Sequence, residues 1–350
     1  MGTSRHITAI LLSAALLALG CSGGSEPATP DVGTSPPPAP PSPSLPPPPA
    51  TGGWYGVDRD GSYDVRETRA VVFTRGLVDR DAPKHMDLHL ELYEPGVDLT
   101  GSELPAVVLV HGGGFIQGSR NNVDIRRFGN MFAQQGFLAI SIDYRLIPDD
   151  PVLSSRYQQA LTSLGVSASR ESSARVQLAA VEDSIAAIDW LHETAAANDY
   201  RIKGVAVLGE SAGAFTVINL AYVIDDFGLD SPRIDAVIGL WGGIGLGSSS
   251  AITADEAPIL MVHGTGDTIV NYQGSLGIAN RAAAIGLPYE LILNAGAGHS
   301  FPENDLFTLR TMPGSGLTQA QRIIDFVGVA ILAGNCLRQQ GVIDACPLPD

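Results

Sequence analysis

The chain has 350 residues, 45% of them apolar, with 21 Lys and Arg against 37 Asp and Glu and a formal charge of −16 at pH 7. Acidity of this size argues against nucleic acid or an anionic membrane surface as a partner. The length and apolar content suit one large domain with a well-buried core behind a separate N-terminal segment.

Residues 1–20 read as a targeting segment. Arg5 and His6 precede an apolar run from Ile7 to Leu19. The run has the length of a signal-peptide core and is too short to cross a bilayer of roughly 30 Å. It closes on Leu17-Ala18-Leu19-Gly20-Cys21, which resembles a bacterial lipoprotein signal. Cys21 is therefore the expected lipidation site, and the protein is expected at a cell surface or in a periplasm; a soluble secreted form is the alternative. Residues 22–53 carry 12 of the 24 prolines and read as an extended tether, rising ~3.1 Å per residue. Residues 54–350 are the expected catalytic domain. Of the three cysteines, Cys336 and Cys346 remain to form one disulfide in an oxidising compartment, or to stay as two thiols. Neither lies near a spaced histidine, so no metal site is expected.

Within the domain, Arg69–Arg75 and Asp87–Glu94 predict a hairpin, the second strand alternating Leu88, Leu90, Leu92 against His89, Glu91, Tyr93. Pro105–Val110 is a continuous apolar run, as a strand buried on both faces requires. A helix over Val123–Gly136, a strand over Phe137–Ile142 and a long helix over Val176–Ala197 follow. Strands at 204–208, 234–241, 259–263 and 289–294 alternate with helices at 211–224, 273–285 and 318–332. A hairpin followed by alternating strand and helix predicts an α/β fold: a mostly parallel sheet with helices on both faces. Ligands on such sheets bind at the carboxyl ends of the strands, and the chemical candidates fall there.

Gly209-Glu210-Ser211-Ala212-Gly213 lies between an apolar run and a helix, the setting of a nucleophile elbow. The pattern alone is weak, because Gly20-Cys21-Ser22-Gly23-Gly24 also fits it without a preceding strand. Other parts supply the context. After the strand ending at Val110 comes His111-Gly112-Gly113-Gly114-Phe115, whose glycines expose backbone N–H groups to a developing oxyanion; Ala212 supplies another from its helix start. His111 reads as a brace for that loop. His299, in the loop after Asn294, is the expected general base. His263 is its competitor but reads as packing beneath the site; His192, His85 and His89 are poorly placed. Asp267, in His263-Gly264-Thr265-Gly266-Asp267, is the expected acid, with Asp255, Glu303 and Asp305 as alternatives. The chain order Ser211, Asp267, His299 is that of an acyl-transfer triad on this class of sheet.

Together with Asp143-Tyr144-Arg145-Leu146, these stretches resemble α/β-hydrolases of the bacterial esterase type, near the hormone-sensitive-lipase-like and dienelactone-hydrolase-like groups, over residues 65–334. The resemblance implies an oxyanion hole of Gly113, Gly114 and Ala212, a structural role for Asp143 to Leu146, and short- to medium-chain carboxylic esters as substrates. The turn at 264–270 departs towards the carboxylesterase and dienelactone-hydrolase pattern, and Glu210 stands where an aspartate is common. No metal or cofactor is required. About 17 residues join the strands at 234–241 and 259–263, too few for a multi-helix cap; the insertion Pro148–Arg175 is expected to cover one side of the pocket instead. Phe115, Trp241 and Ile244 are candidate pocket residues. A small-molecule ester is the expected partner. An amidase, peptidase or polymer-deacetylating hydrolase with the same triad, or a non-catalytic binding module, are the alternatives.

Overall fold

A computed structural model describes residues 63–300, 305–309 and 316–340. The signal-type run, Cys21, the tether and the Cys336–Cys346 pairing lie outside the described residues. Among the described residues, eight strands form one sheet: β1 (Val65–Val78), β2 (Lys84–Pro95), β3 (Glu103–Val110), β4 (Leu138–Ile142), β5 (Arg201–Glu210), β6 (Ala236–Leu240), β7 (Ile259–Gly264) and β8 (Tyr289–Asn294). Their order is β1-β2-β4-β3-β5-β6-β7-β8. The β1–β2 hairpin and the β2–β4 pair are antiparallel, and β3 to β8 run parallel. This is the mostly parallel sheet with an N-terminal hairpin that the sequence pattern predicts.

Among the described residues, six α-helices cover it: α1 (Val123–Gln134), α2 (Ser155–Ser163), α3 (Ala168–Ala197), α4 (Ala212–Tyr222), α5 (Gln273–Ile285) and α6 (Gln319–Gln340). The apolar runs of the central strands feed two core layers at once. Ala106, Val108 and Val110 of β3 face the layer shared with α2 to α5, whereas Val107 and Leu109 face the layer under α1 and α6. Burying one such Val or Leu contributes about 1.5–3 kcal/mol relative to exposure. Helix α1 shows the local logic. Asn122 Oδ1 accepts from the amides of Asp124 and Ile125 at its start, and Ile125, Phe128 and Phe132 turn one stripe to the sheet.

Three elements differ from expectation. Strand β1 runs from Val65, longer than the predicted 69–75, through two register shifts that include Ala70 at φ 53°. Helix α3 begins at Ala168, eight residues before Val176; its first two turns carry no apolar stripe for periodicity to reveal, and Arg175 Nε donates to Glu171 at 2.8 Å. The insertion at 148–175 is consequently part helix. It is tied to β1 by a bridge between Val78 and Pro151, and to the loop after α4 by Arg156 and Asp230 at 2.7 Å.

Arg145 fastens that region. Its side chain is buried, with Nε 3.0 Å from Asp183 and Nη2 2.7 Å from Glu182. Its Nη1 donates to the Val152 and Leu77 carbonyls at 2.8 and 3.3 Å. Truncation leaves the Asp183 carboxylate buried and unpaired. Arg145→Ala is expected to lower unfolding free energy by about 3–5 kcal/mol, read from urea unfolding, and the Arg145→Ala/Asp183→Ala pair to lose less than the sum of the singles.

Candidate active site

Ser211 sits between β5 and α4 at φ 50°, ψ −114°, a conformation that costs an L-residue of order 1–3 kcal/mol. Tight packing enforces it. A Cβ at Gly213 would stand 2.1 Å from the Val110 carbonyl oxygen, and one at Gly209 would stand 2.2 Å from the Gly213 carbonyl. Only glycine at both positions lets strand, turn and helix approach this closely. The Ser211 amide donates to Leu240 O at 2.9 Å, tying the turn to β6.

The loop after β8 brings His299 to it. His299 Nε2 lies 2.9 Å from Ser211 Oγ, and His299 Nδ1 lies 2.8 Å from Asp267 Oδ2. Since a carboxylate only accepts, Nδ1 carries the hydrogen and Nε2 is left to accept from the serine hydroxyl. The Asp267 side chain is wholly buried. Its Oδ1 accepts from the amides of Ile269 and Val270 at 2.8 and 2.9 Å. Burial works to raise the pKa of this carboxyl, but the donors from His263, His299 and the two amides outweigh it and hold it well below the usual carboxylate range.

The glycine loop lies alongside. Gly113 has φ 121°, and a Cβ there would fall 1.8 Å from Gln117 O. Among the described residues, no backbone hydrogen bond takes up the amides of Gly113, Gly114 or Ala212. The loop is braced from beneath. His111 stacks on Tyr144 with centroids 4.4 Å apart, and Tyr144 donates its hydroxyl to His111 O at 2.9 Å. His111 Nδ1 lies 2.7 Å from Gly112 O; burial lowers its pKa against the pull of that carbonyl and of Asp143. A buried, neutral, doubly anchored ring is a brace, not a proton carrier.

The other candidates fall elsewhere. Trp241 does not line an open acyl pocket: it is 2% exposed and packs into the layer under α6, its φ of 42° turning the side chain inward at the strand end. Phe115 is likewise buried, edge-on to Tyr144 at 6.1 Å. Ile244 is half-buried against the opposite layer. Asp255 accepts from Thr253 Oγ1 at 2.8 Å; Glu303 and the side chain of Asp305 lie outside the described residues.

Two groups named in the sequence have contacts that sequence reasoning does not supply. His263 Nε2 lies 3.0 Å from Asp267 Oδ2; its place four residues before the acid, at a strand end, was the available signal. Glu210, beside the nucleophile, is buried and its Oε1 accepts from the Gly112 amide at 3.2 Å. Burial pushes its pKa up to about 7, with the Gly112 amide pulling the other way.

A family model described as BD-FAE matches residues 90–155. Among curated proteins, the chain is 36% identical over 80 residues to the non-reducing polyketide synthase ausA of Emericella nidulans, spanning 23% of this chain and 3% of the synthase. It is 35% identical over 68 residues to tuliposide A-converting enzyme b1 of Tulipa gesneriana, covering 19% of this chain and 18% of that enzyme. The chain thus spans under a fifth of the length of these relatives. Among solved structures, the native Est2 esterase of Thermogutta terrifontis aligns over 81% of this chain and 94% of its own, at 21% identity and a TM-score of 0.51. The same esterase phosphorylated by paraoxon aligns over 85% and 99%, at 21% identity and a TM-score of 0.52. At this identity the likeness establishes a shared fold.

Glu210 also predicts a pH dependence. The folded state keeps its proton up to about pH 7, whereas an unfolded glutamate releases it near 4.5. Its stabilising effect is therefore full below 4.5 and lost as pH rises to about 7, on the order of 3 kcal/mol. Asp267 has the opposite sign, contributing above the unfolded aspartate range and losing its effect as pH falls. Urea unfolding of Glu210→Gln across pH 4.5–7.5 should show a flatter profile than wild type.

Proposed function

We propose that this chain, of α/β-hydrolase fold, hydrolyses carboxylic esters through an acyl-enzyme on Ser211. One observation carries the reading: a single imidazole, His299, spans the hydroxyl of a serine held at positive φ and a buried carboxylate, at 2.9 and 2.8 Å. Ser211 Oγ bonds to the ester carbonyl carbon as its proton passes to His299 Nε2. Asp267, whose donors keep it ionised, stabilises the resulting imidazolium. The carbonyl oxygen, now an oxyanion, meets the amides of Ala212, Gly113 and Gly114; losing one such donor typically costs ~10²–10³ in rate. Collapse breaks the bond to the leaving alcohol, which takes the proton from His299. Water then cleaves the acyl-enzyme by the same route, passing its proton through His299 and releasing Ser211.

The likeness to a solved esterase and the stretch shared with a plant tuliposide-converting enzyme support esters as the substrate class. Short- to medium-chain acyl esters are the proposed range. The apolar run, Cys21 and the proline-rich stretch support export with a lipid anchor; a Cys21→Ser protein that still fractionates with membranes counts against the anchor.

Ser211→Ala is expected to lower turnover of nitrophenyl acetate and butyrate by ~10⁶ and to abolish labelling by a fluorophosphonate probe. Near-normal turnover in that variant rejects the assignment. The matching anilides, assayed beside the esters, separate ester from amide hydrolysis.

A further inference from the structure

We propose that His263 is a positioning residue for the hydrolysis described above: a second imidazole that shares the Asp267 carboxylate with His299 and fixes its orientation beneath the catalytic base. The inference rests on the esterase reading and adds a fourth side chain, one that holds the Asp267 carboxylate without passing a proton.

The geometry fixes which nitrogen of His263 donates to Asp267. Its ring is wholly buried. Nε2 lies 3.0 Å from Asp267 Oδ2 and 3.0 Å from Val270 O. Both are acceptors, so Nε2 carries a hydrogen and donates. Nδ1 lies 2.7 Å from Ser275 Oγ, which itself stands 3.2 Å from Gly242 O. The ring is thus held at both nitrogens, by the turn after β7 on one side and by the start of α5 and the end of β6 on the other. With both nitrogens engaged, His263 cannot serve as the base that Ser211 needs, although chain position makes it a competitor.

What it supplies is rigidity at one oxygen. Asp267 Oδ1 is fixed by two turn amides, but Oδ2 would otherwise depend on His299 alone. His299 stands in a loop, and its charge changes during each catalytic cycle. His263 stands on a sheet strand and donates to the same oxygen from a direction that the cycle does not disturb. A displacement of about 1 Å in a catalytic group can cost ~10²-fold in rate, so an Oδ2 held only by a loop histidine is a kinetic liability. The titratable groups facing Asp267 among the described residues are these two histidines.

The test compares His263→Leu, His263→Gln and Ser275→Ala in the full chain, with kcat, KM and thermal midpoint measured for each on nitrophenyl butyrate. His263→Leu should lose ~10–10² in kcat while KM stays within about twofold. His263→Gln, whose amide N–H reaches the same carboxylate oxygen, should recover kcat to within about fivefold of wild type. Ser275→Ala, which frees Nδ1, should fall between them. A Leu variant within about threefold of wild type in kcat overturns the proposal. So does a Gln variant that melts with wild type yet is as slow as Leu, since packing rather than donation then explains the loss. If the Leu variant does not fold, a wild-type rate in Ser275→Ala overturns the proposal, and a slower Ser275→Ala beside a near-normal His263→Gln supports it. Wild-type turnover that survives Ser211→Ala would instead reject the esterase reading, independently of the His263 variants.

Discussion

The site depends on a steric constraint in the backbone. Val110 O, at the end of β3, stands where a side chain on the first turn of α4 would have to go, and Gly213 leaves that space empty. Gly209 does the same on the strand side. Because the two chain segments can touch, Ser211 is pushed into a strained conformation with its hydroxyl outward. The sheet meets the cost of that strain: β3, β5 and β6 are buried on both faces, so the turn between them has nowhere to relax. The glycine loop, His299 and Asp267 are then added from the ends of neighbouring strands, each within hydrogen-bond reach of something rigid.

Electrostatics divides two nearby carboxyls into opposite roles. Asp267 is buried, yet four donors surround it and it stays ionised over the working range of an imidazole base. Glu210 is buried beside the nucleophile, has one backbone donor, and holds its proton towards neutrality. The number of donors together with the depth of burial separates them. Below about pH 7 the protonated Glu210 carboxyl under the glycine loop keeps a negative charge away from the nucleophile.

Much of this was legible beforehand, for physical reasons that differ by element. Strands β3 and β5 declare themselves because a strand covered on both faces must be apolar throughout. The residues now grouped at Ser211 were legible because strand, glycine turn and helix succeed one another in only a few ways. The first two turns of α3 were not, since Glu171 and Arg175 stabilise them without an apolar stripe. Trp241 packs inward because its positive φ reverses the side-chain direction that strand alternation implies, and Phe115 packs against Tyr144 from a turn that periodicity does not describe. His263 was read as packing only, because periodicity says nothing about which acceptor a buried ring finds.

Strand β1 carries a consequence of a different kind. It forms an open margin of the sheet, with a row of backbone groups that another chain's strand could zip onto. Two bulges and an alanine in left-handed geometry break its straightness, and Arg66, Arg69 and Arg75 are each ion-paired along it. A bent, charge-studded border is a poor template for intermolecular β-pairing. Edge-to-edge association of this long strand is thereby disfavoured.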